Sequence, residues 1–510
     1  MPRMAWTDVA LAAMGGVLLE KAFAPTSWWV LAPFAVALLL VALRRDSVGW
    51  GLASGGSFGL AFFLQHVWWA TVSVGSPIGW LALAVAQATF VAAFGGAWVW
   101  VRRSAWLRAR AGCQIVAAAV MWVTVERFRA RWPFGGFPWG GLALSQTDGP
   151  LLRLAPVGGT TLVSATVVAI GAAVALSTTG TGRPARRVAT IGWAGVTLAL
   201  VAAQLLAPAT SAQAGTLRIG AVQGDVPSTD VDDRRRALQV TGNHVAGTES
   251  LVQRTGPGSL DLVLWPESAA DGDPRADAEV AALVEEAART AGAPILLGTQ
   301  RLTADRRFND YVLWEPSEGA VASYTKQHPV PFGEYVPYRS FFRRLAPAVD
   351  RISRDMAPGT GTALVLVPVS RLGRSVPLTT VICFEVAYDD LVRRSVLAGA
   401  EAIVVPTNNA SFGRTQEAVQ QLAMSRFRAA EHNRAVVQVS TVGVSAVIAP
   451  DGMVQQRTGL FTAEQLRADL PLRTSITLAD RLGDWPGRFV DGLGLSLLVA
   501  RAARRARRSR

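Results

Sequence analysis

The sequence predicts two joined parts, a helical membrane domain with about eight transmembrane helices and an extracytoplasmic α/β domain. Three observations lead to this fold class. Apolar residues are more concentrated in the first 210 positions of the 510-residue chain than in the rest. Windows there, such as 26–43 and 78–101, carry no charge and reach the roughly 20 residues that a helix needs to cross a bilayer. From residue 216 onward, short β-rich runs alternate with helical stretches.

Seven transmembrane helices are predicted before the α/β domain and one after it. The first seven lie near residues 5–21, 26–43, 48–70, 77–101, 112–125, 151–176 and 188–208. The eighth lies near 488–501 and is the weakest by hydropathy, because it is short and contains Asp491. A charged residue near the bilayer centre is costly. Charge placement nevertheless supports this last helix.

Arginine placement predicts how these helices are oriented. If the N-terminus is inside, the inner segments hold arginines at 3, 44–45, 102–110 and 183–187 and in the tail at 501–510. The short outer loops are nearly bare of basic residues, with exceptions at Lys21 and in the loop that carries Arg127, Arg129, Arg131 and Arg153. Because lysine and arginine concentrate on the cytoplasmic side, both termini are predicted to be cytoplasmic and residues 209–487 extracytoplasmic.

The net charge of +13 does not indicate a nucleic-acid partner. The basic residues concentrate at membrane ends and in the last ten positions, where anionic lipid is the expected partner. The predicted organisation is a membrane domain at 1–208, a small polar linker at 209–215, the α/β domain at 216–475, and a final helix with its basic tail at 476–510.

The α/β domain is predicted from its alternating strands and helices. Strands are predicted at 216–224, 260–268, 293–300, 309–316, 375–385, 401–408 and 435–450. Helices are predicted at 276–292 and 415–434, where apolar residues recur at helical spacing. Continuous apolar strands between helices are typical of layered α/β domains whose sheets are buried on both faces.

Two cysteines exclude a disulfide framework, since Cys113 falls in a predicted transmembrane helix and Cys383 in the α/β domain. A buried cysteine often serves only as a small core residue. It becomes a nucleophile when a neighbouring cation or base favours its thiolate. Glu267, at the end of a predicted strand, and Lys326, in the segment YTKQHPVPFGEYVP (324–337), are the candidates for that base and that cation.

The lysine is informative because the chain has 50 lysines and arginines but only two lysines, Lys21 and Lys326. Arginine serves wherever a plain positive charge is sufficient. A compact ammonium is something that the planar guanidinium cannot supply. A chance surface lysine at 326 remains the alternative, as position 21 illustrates. If the strand ends converge, Glu267 could take the thiol proton, and Lys326 with the Phe384 backbone N–H could bind an oxyanion.

These residues resemble the apolipoprotein N-acyltransferase family of the carbon–nitrogen hydrolase (nitrilase) superfamily. The resemblance rests on the motifs VQGDVP (222–227), WPES (265–268), KQHPVPFGEYVP (326–337), CFE (383–385) and NNASFG (408–413), and on the loop GFPWG (136–140) after Glu126 and Arg127. It implies an αββα sandwich and a Glu-Lys-Cys triad formed by Glu267, Lys326 and Cys383. It also implies supporting roles for Glu334 and Glu385, and needs no cofactor or metal.

The resemblance further implies the reaction and its setting. A phospholipid would donate an acyl chain through a Cys383 thioester to the α-amine of a diacylglyceryl apolipoprotein, in the bacterial cytoplasmic membrane, and the enzyme would be a monomer. Contacts with substrate or lipid are expected at Arg127, Phe137, Trp139, Asn409 and Phe412. Cations and aromatics near 127–140 could equally be plain interfacial anchors.

The chain departs from the family pattern at three points. Phe384 replaces the usual tyrosine, Ser411 replaces an aromatic residue, and no tryptophan follows QGDVP. These changes and the arginine-rich composition resemble actinobacterial members. Two rival functions stay open at this stage, a membrane-tethered amidase acting on small soluble substrates and a non-catalytic membrane scaffold.

Overall fold

The computed structural model describes residues 2–179, 195, 201, 209–226, 232–345, 349–350 and 352–508. The chain divides into two compact units, a helical unit of Met1–Ala207 with Arg481–Arg510 and an α/β unit of Pro208–Asp480. Among the described residues the α-helices are α1 Pro2–Lys21, α2 Leu31–Ala42, α3 Val48–His66, α4 Ala70–Val74, α5 Pro77–Arg102, α6 Ala105–Arg108, α7 Ala111–Arg129, α8 Ala155–Thr179, α9 Asp233–Thr255, α10 Ala278–Ala291, α11 Arg339–Leu345, α12 Asp389–Leu397, α13 Glu417–His432, α14 Leu478–Leu482 and α15 Trp485–Arg508.

Three helical segments of the described chain are long and apolar enough to cross a membrane. They are Pro77–Arg102, Ala111–Arg129 and Pro150–Thr178, and Leu31–Ala42 is a shorter apolar helix. Helices also occupy the positions of the other predicted spans, except that the seventh, at 188–208, lies outside the described residues apart from 195 and 201. The second is shorter than expected, because turns occupy residues 22–30 before α2 begins.

Small residues bring α3 and α5 of the helical unit into close contact. Gly51, Gly55 and Gly59 lie one turn apart on α3, and a Cβ at Gly55 would lie 2.4 Å from the carbonyl oxygen of Val91 on α5. A Cβ at Gly95 would likewise lie 2.3 Å from the carbonyl oxygen of Gly51. This is the backbone-to-backbone packing that small residues allow between apolar helices.

An ion-pair cluster joins α7 to α15 within the same unit. Arg127 donates from Nη2 to Asp484 at 2.8 Å and from Nε to Asp491 at 3.1 Å. Asp491 is therefore paired with an arginine, which accounts for an acidic residue next to the apolar run of α15.

The α/β unit contains two six-stranded sheets. The strands are β1 Thr216–Gln223, β2 Leu262–Leu264, β3 Ile295–Leu302, β4 Arg307–Glu315, β5 Gly319–Thr325, β6 Leu364–Val369, β7 Arg374–Thr380, β8 Ala402–Thr407, β9 Val436–Ser440, β10 Ala446–Ile448, β11 Val454–Arg457 and β12 Glu464–Pro471. The strand order is β12-β1-β2-β3-β4-β5 in the first sheet and β11-β10-β9-β8-β7-β6 in the second. Helices α9 and α10 pack on the first sheet, and α12 and α13 pack on the second.

The central strands of both sheets run parallel. Strands β1, β2 and β3 are parallel in the first sheet, as are β7, β8 and β9 in the second. Parallel strands deliver the residues that follow them to one edge of a sheet. Gln223, at the end of β1, joins the two sheets, because its Oε1 accepts from Ser445 at 2.7 Å and from Thr458 at 2.9 Å.

The two-sheet fold expected from the sequence is confirmed, with differences in detail. The predicted strand 435–450 is two strands, β9 and β10. The predicted strand 375–385 ends at Thr380, and Cys383 begins a 3₁₀ turn instead. Strands β5, β6, β11 and β12 were not predicted. Strands β5, β11 and β12 lack the continuous apolar runs that marked the buried strands. Strand β6 is such a run, LVLVPV, and was overlooked.

We predict that Gly298→Ala destabilises the α/β unit and displaces Glu267. A Cβ at Gly298 would lie 2.5 Å from the Cα of Glu267 and 2.6 Å from the carbonyl oxygen of Pro266, so the backbone must shift. The expected cost is about 1 to 3 kcal/mol, measured by thermal unfolding in detergent micelles. Gly242→Ala is the control, since nothing lies near that helical position and alanine favours a helix by about 1 kcal/mol. Equal melting of Gly298→Ala and the wild type would contradict this account.

Candidate active site

The structure brings the three predicted triad residues together in the α/β unit. Glu267 follows β2 and Lys326 follows β5 in the first sheet, while Cys383 follows β7 in the second. Lys326 Nζ lies 3.4 Å from Glu267 Oε1. The charges of Lys326 and Glu267 both act on the pKa of the Cys383 thiol, which places the three groups in one electrostatic cluster. The convergence on which the predicted chemistry depends is therefore present.

The Lys326 ammonium is fully buried between two carboxylates. Its closer partner is Glu334, whose Oε1 lies 2.6 Å from Nζ, and Glu267 is the second. Burial by itself lowers the pKa of this lysine, but the charges of Glu334 and Glu267 outweigh burial and raise it. Lys326 is therefore a fixed cation, and a surface position for it is excluded because the side chain is 0% exposed.

Each carboxylate oxygen of Glu267 accepts a hydrogen bond, in addition to the contact with Lys326. Asn309 Nδ2 donates to Oε1 at 2.6 Å, and the backbone N–H of Asn408 donates to Oε2 at 2.8 Å. The first donor belongs to β4 of the first sheet, and the second follows β8 of the second sheet. Both sheets therefore orient this carboxylate.

Cys383 lies at a strained position of the backbone. Its φ of 56° is in the left-handed region, which a residue with a Cβ rarely adopts. The residue opens the 3₁₀ turn Cys383–Ala387 directly after the strand, so the thiol is presented at a sharp bend. Burial and then the charge of Glu267 raise the pKa of the thiol, and the Lys326 ammonium opposes that rise. The thiolate thus depends on its local hydrogen-bond donors.

Glu385 fastens the lysine segment to the cysteine turn. Its carboxylate accepts hydrogen bonds from the backbone N–H groups of Gln327 at 2.6 Å, His328 at 3.0 Å and Ile382 at 2.8 Å, and from the Tyr324 hydroxyl at 3.0 Å. Burial raises the pKa of Glu385 to about 7, against the lowering effects of Lys326 and these backbone donors. Its hydrogen-bond partners are backbone amides and one hydroxyl rather than a basic side chain.

Aromatic rings lie next to the cysteine turn. Phe384 is buried, and its ring meets Tyr388 edge-on at 5.6 Å between centroids. Tyr388 also stacks on His328 at 4.4 Å. Phe384, which replaces the tyrosine of the family pattern, is thus packed in an aromatic row that includes a tyrosine four residues later.

Several site residues were missed by sequence reasoning. The thiol of Cys383 accepts a hydrogen bond from Gln421 Nε2 at 3.6 Å, and Gln421 accepts from Thr407 Oγ1 at 2.9 Å. Asn309, Asn408 and Glu417 also belong to the cluster and were not singled out. The run TNN at 407–409, directly after an apolar strand, was an available signal for two of them.

The five residues expected to contact lipid or substrate lie in both units. In the helical unit, Arg127 is bound to Asp484 and Asp491, Phe137 is partly buried, and Trp139 is buried against Trp69 at 5.4 Å. In the α/β unit, Asn409 is buried and Phe412 is partly buried. Lipid contact stays a prediction for Arg127, Phe137, Trp139, Asn409 and Phe412.

One group of side chains in the described part of the chain has metal-ligand spacing. Asp389, Glu431 and His432 place their ligand atoms within 4.8 Å of one another. Arg428 binds Glu431, and Arg393 binds Asp389 at 2.7 Å. Guanidinium groups already balance both carboxylates, so this cluster is better described as an ion-pair network.

We predict that Lys326→Met slows alkylation of Cys383 by at least about tenfold at pH 7. The substitution removes the ammonium that favours the thiolate but leaves the Glu267 charge that opposes it. The measurement is the rate of iodoacetamide labelling, assigned to Cys383 by peptide mass. Lys21→Met, at the chain's other lysine, is the matched control and should label at the wild-type rate. Equal rates for the two variants would show that the lysine does not act on the thiol.

We predict that the carboxyl of Glu417 makes stability depend on pH. Burial raises the pKa of Glu417 from 4.5 to about 8, with the charge of Glu267 adding to the rise and the Asn409 hydrogen bond opposing it. The folded state therefore keeps a proton that the unfolded state releases. The stabilising effect is complete below pH 4.5 and is lost as the pH rises to about 8.

The corresponding experiment compares melting temperatures of the wild type and Glu417→Gln between pH 5 and 8. The glutamine stays neutral and can still accept from Asn409, so the variant should gain relative to the wild type as pH rises. Glu318→Gln, at an exposed acid of the same unit, should show no such trend. A constant difference between Glu417→Gln and the wild type would refute the assignment.

Comparisons with known proteins agree with the geometry. The family model "Apolipoprotein N-acyltransferase N-terminal domain" matches residues 15–173, and "Carbon-nitrogen hydrolase" matches residues 218–479. The chain is 37% identical over 496 residues to the apolipoprotein N-acyltransferase of Mycolicibacterium smegmatis, covering 92% of this chain and 81% of that protein. It is 31% identical over 525 residues to the apolipoprotein N-acyltransferase of Azotobacter vinelandii, covering 99% of this chain and 97% of that protein.

Among solved structures, a variant of an amidase from Nesterenkonia sp. aligns over 55% of this chain and 98% of its own, with a TM-score of 0.39 and 17% identity. The sequence relationships, by contrast, extend over nearly the whole chain and include both units. They confirm the family predicted from the motifs. The chain belongs to the apolipoprotein N-acyltransferase family and carries a carbon–nitrogen hydrolase domain.

Proposed function

We propose that the protein transfers an acyl chain from a phospholipid, through a thioester on Cys383, to the α-amine of the S-diacylglyceryl cysteine of an apolipoprotein. One observation carries the mechanism: the only cysteine of the α/β unit shares a buried cluster with an ammonium that is held by two carboxylates. The family relatives named as apolipoprotein N-acyltransferases supply the substrate class.

In the first half-reaction, Glu267 accepts the proton of the Cys383 thiol, and the thiolate attacks the ester carbonyl of the phospholipid. Lys326 and the backbone N–H of Phe384 stabilise the resulting oxyanion. The carbon–oxygen ester bond then breaks, and Glu267 returns its proton to the departing lysophospholipid. The acyl chain remains on sulfur as a thioester.

In the second half-reaction, the α-amine of the apolipoprotein attacks the thioester carbonyl. Glu267 accepts a proton from the nitrogen, and the carbon–sulfur bond breaks with its electron pair left on sulfur. Glu267 then passes the proton to the thiolate, which restores the starting thiol and carboxylate. Glu267 is suited to both steps because Asn309 and Asn408 hold its two oxygens in fixed directions. The same residues thus serve two acyl transfers in sequence.

Burial of the reacting groups supports transfer to an amine over transfer to water. Lys326 is 0% exposed and Glu267 is 5% exposed. Cys383 itself is partly buried, so a thioester on its sulfur is shielded by these groups on one side from the water that would hydrolyse it. Glu334 and Glu385 act as supporting residues, the first by fixing the ammonium and the second by joining its segment to the cysteine turn.

The proposed setting is the bacterial cytoplasmic membrane. The arginine asymmetry supports a topology with eight transmembrane helices, because it places both termini in the cytoplasm and the α/β unit outside it. The domain boundaries proposed are 1–208, 209–215, 216–475 and 476–510. The substrates are a phospholipid donor and a diacylglyceryl apolipoprotein acceptor, and the enzyme is proposed to act as a monomer without cofactor or metal.

We predict that the purified protein, incubated with a phospholipid in micelles, gains the mass of one acyl chain at Cys383. Addition of a diacylglyceryl peptide should remove that mass and yield an N-acylated peptide. Intact-mass analysis followed by peptide mapping measures both steps. Cys383→Ala should form no adduct, and Cys113→Ala should react like the wild type because its thiol lies outside the α/β unit.

The absence of an adduct under turnover conditions would argue against the proposed donor reaction. Turnover of a small soluble amide without release of lysophospholipid would instead favour a tethered amidase. Transfer that persists in Cys383→Ala would exclude the thioester and favour a scaffold that depends on another catalyst.

A further inference from the structure

A second polar group contacts the reacting sulfur in addition to the charged cluster. Gln421, on helix α13, directs its Nε2 toward Cys383 Sγ at 3.6 Å, within hydrogen-bond range for sulfur. Its side chain is fully buried. This contact is made by a neutral amide from the second sheet's helix layer, whereas Lys326 and Glu267 approach from the first sheet.

Hydrogen bonds on its other side fix the orientation of the Gln421 amide. Oε1 accepts from Thr407 Oγ1 at 2.9 Å and from Asn409 Nδ2 at 3.0 Å. If the amide were turned over, its NH2 group would face the Asn409 donor. The donor end of Gln421 is therefore directed at the sulfur, since an amide has one accepting and one donating end.

Asn409 is itself fixed by further buried partners. Its Nδ2 donates to Glu417 Oε2 at 2.8 Å as well as to Gln421, and its Oδ1 accepts from Ser440 Oγ at 2.6 Å. Glu417 and Gln421 lie one turn apart on α13. Networks of buried polar groups with satisfied partners are rigid, so the amide keeps its direction.

The charges around the Cys383 thiol do little to stabilise its thiolate, so a neutral donor such as the Gln421 N–H can contribute. Lys326 is already shared by Glu334 at 2.6 Å and Glu267 at 3.4 Å. The negative charge of Glu267 opposes formation of the thiolate, and so does that of Glu417 once the pH is high enough to ionise it. A neutral N–H donor stabilises an anion without accepting its proton or adding a charge that would attract those carboxylates.

We propose that Gln421 is a further catalytic residue of this acyl transfer, which donates its Nε2–H to the sulfur whenever that atom is a thiolate. Thr407, Asn409 and Glu417 are positioning residues that orient it. In the second half-reaction the carbon–sulfur bond breaks, its electron pair stays on sulfur, and the Gln421 hydrogen bond stabilises the departing thiolate. No bond of Gln421 itself is made or broken. This role rests on the proposed thioester function of Cys383.

Gln421→Leu and Gln421→Glu test the inference in the full chain in detergent micelles. The first removes the donor, and the second replaces it with an acceptor of the same length. Both should raise the pH midpoint of Cys383 alkylation by iodoacetamide by about one unit, which corresponds to about tenfold slower labelling at pH 7. Release of the acyl chain from the adduct to the acceptor peptide should slow as well, because a thiolate of higher pKa leaves more slowly.

Gln438→Glu is the matched control for placing a carboxylate at a buried glutamine. Gln438 is fully buried in the same unit, and its partners are Ser425 and Val444. It should therefore show the wild-type alkylation midpoint. Thr407→Val keeps a similar shape but removes one tether of Gln421 together with the hydrogen bond of Thr407 to the Cys383 thiol, so it should shift the midpoint in the same direction.

Wild-type midpoints in the folded Gln421 variants would overturn the inference. If those two variants melt well below Gln438→Glu, Gln421→Met decides, because methionine is similar in length and has no N–H donor, and an unchanged midpoint there overturns the inference equally. The wild-type acyl adduct separates the two proposals. If the wild type forms the adduct but the Gln421 variants show unshifted alkylation midpoints, the proposed function stands and the role of Gln421 is wrong. If the midpoints shift but the wild type forms no adduct, the contact between Gln421 and the sulfur stands and the proposed acyl transfer is wrong.

Discussion

The site depends on one interaction, the burial of the Lys326 ammonium between Glu334 and Glu267. A buried cation without partners would be very costly, and two carboxylates at 2.6 and 3.4 Å offset that cost. They also keep the ammonium charged, because their effect on the pKa of Lys326 exceeds that of burial. The same cation opposes the rise that burial and Glu267 impose on the pKa of the Cys383 thiol, so the ion cluster and the proposed nucleophile are coupled.

Two sheets are needed to assemble this arrangement. The first contributes Glu267 and Lys326, and the second contributes Cys383 and the Asn408 amide that holds Glu267. Glu385 then fastens the lysine segment to the cysteine turn through backbone N–H donors from both. The site is therefore stabilised mainly by groups that the chain brings from distant positions, and the backbone strain at Cys383 persists because so many contacts determine its position.

Much of the fold could be predicted because apolar patterning is a local property. Buried strands such as β8 are continuous apolar runs, and α10 shows regular helical spacing, so both were predicted within about two residues. Strands β5 and β12 were missed because one or both of their faces are partly exposed. Strand β5 forms a hairpin with the neighbouring β4, whereas β12 pairs antiparallel with the distant β1. Pairing of that kind is decided by tertiary contacts, which a single sequence window does not contain.

For the site, the sequence by itself determined the reactive residue types. The rarity of lysine, the single cysteine of the α/β unit and the family motifs were sufficient to select Glu267, Lys326 and Cys383. The tertiary structure alone decided the contacts among these three residues and the amide partners of Glu385. It also decided the buried hydrogen-bond network of five residues, which are Gln421, Thr407, Asn409, Glu417 and Ser440. The physical reason is that a glutamine or asparagine has no distinctive pattern along the chain, and its chemistry follows from which donors and acceptors surround it after folding.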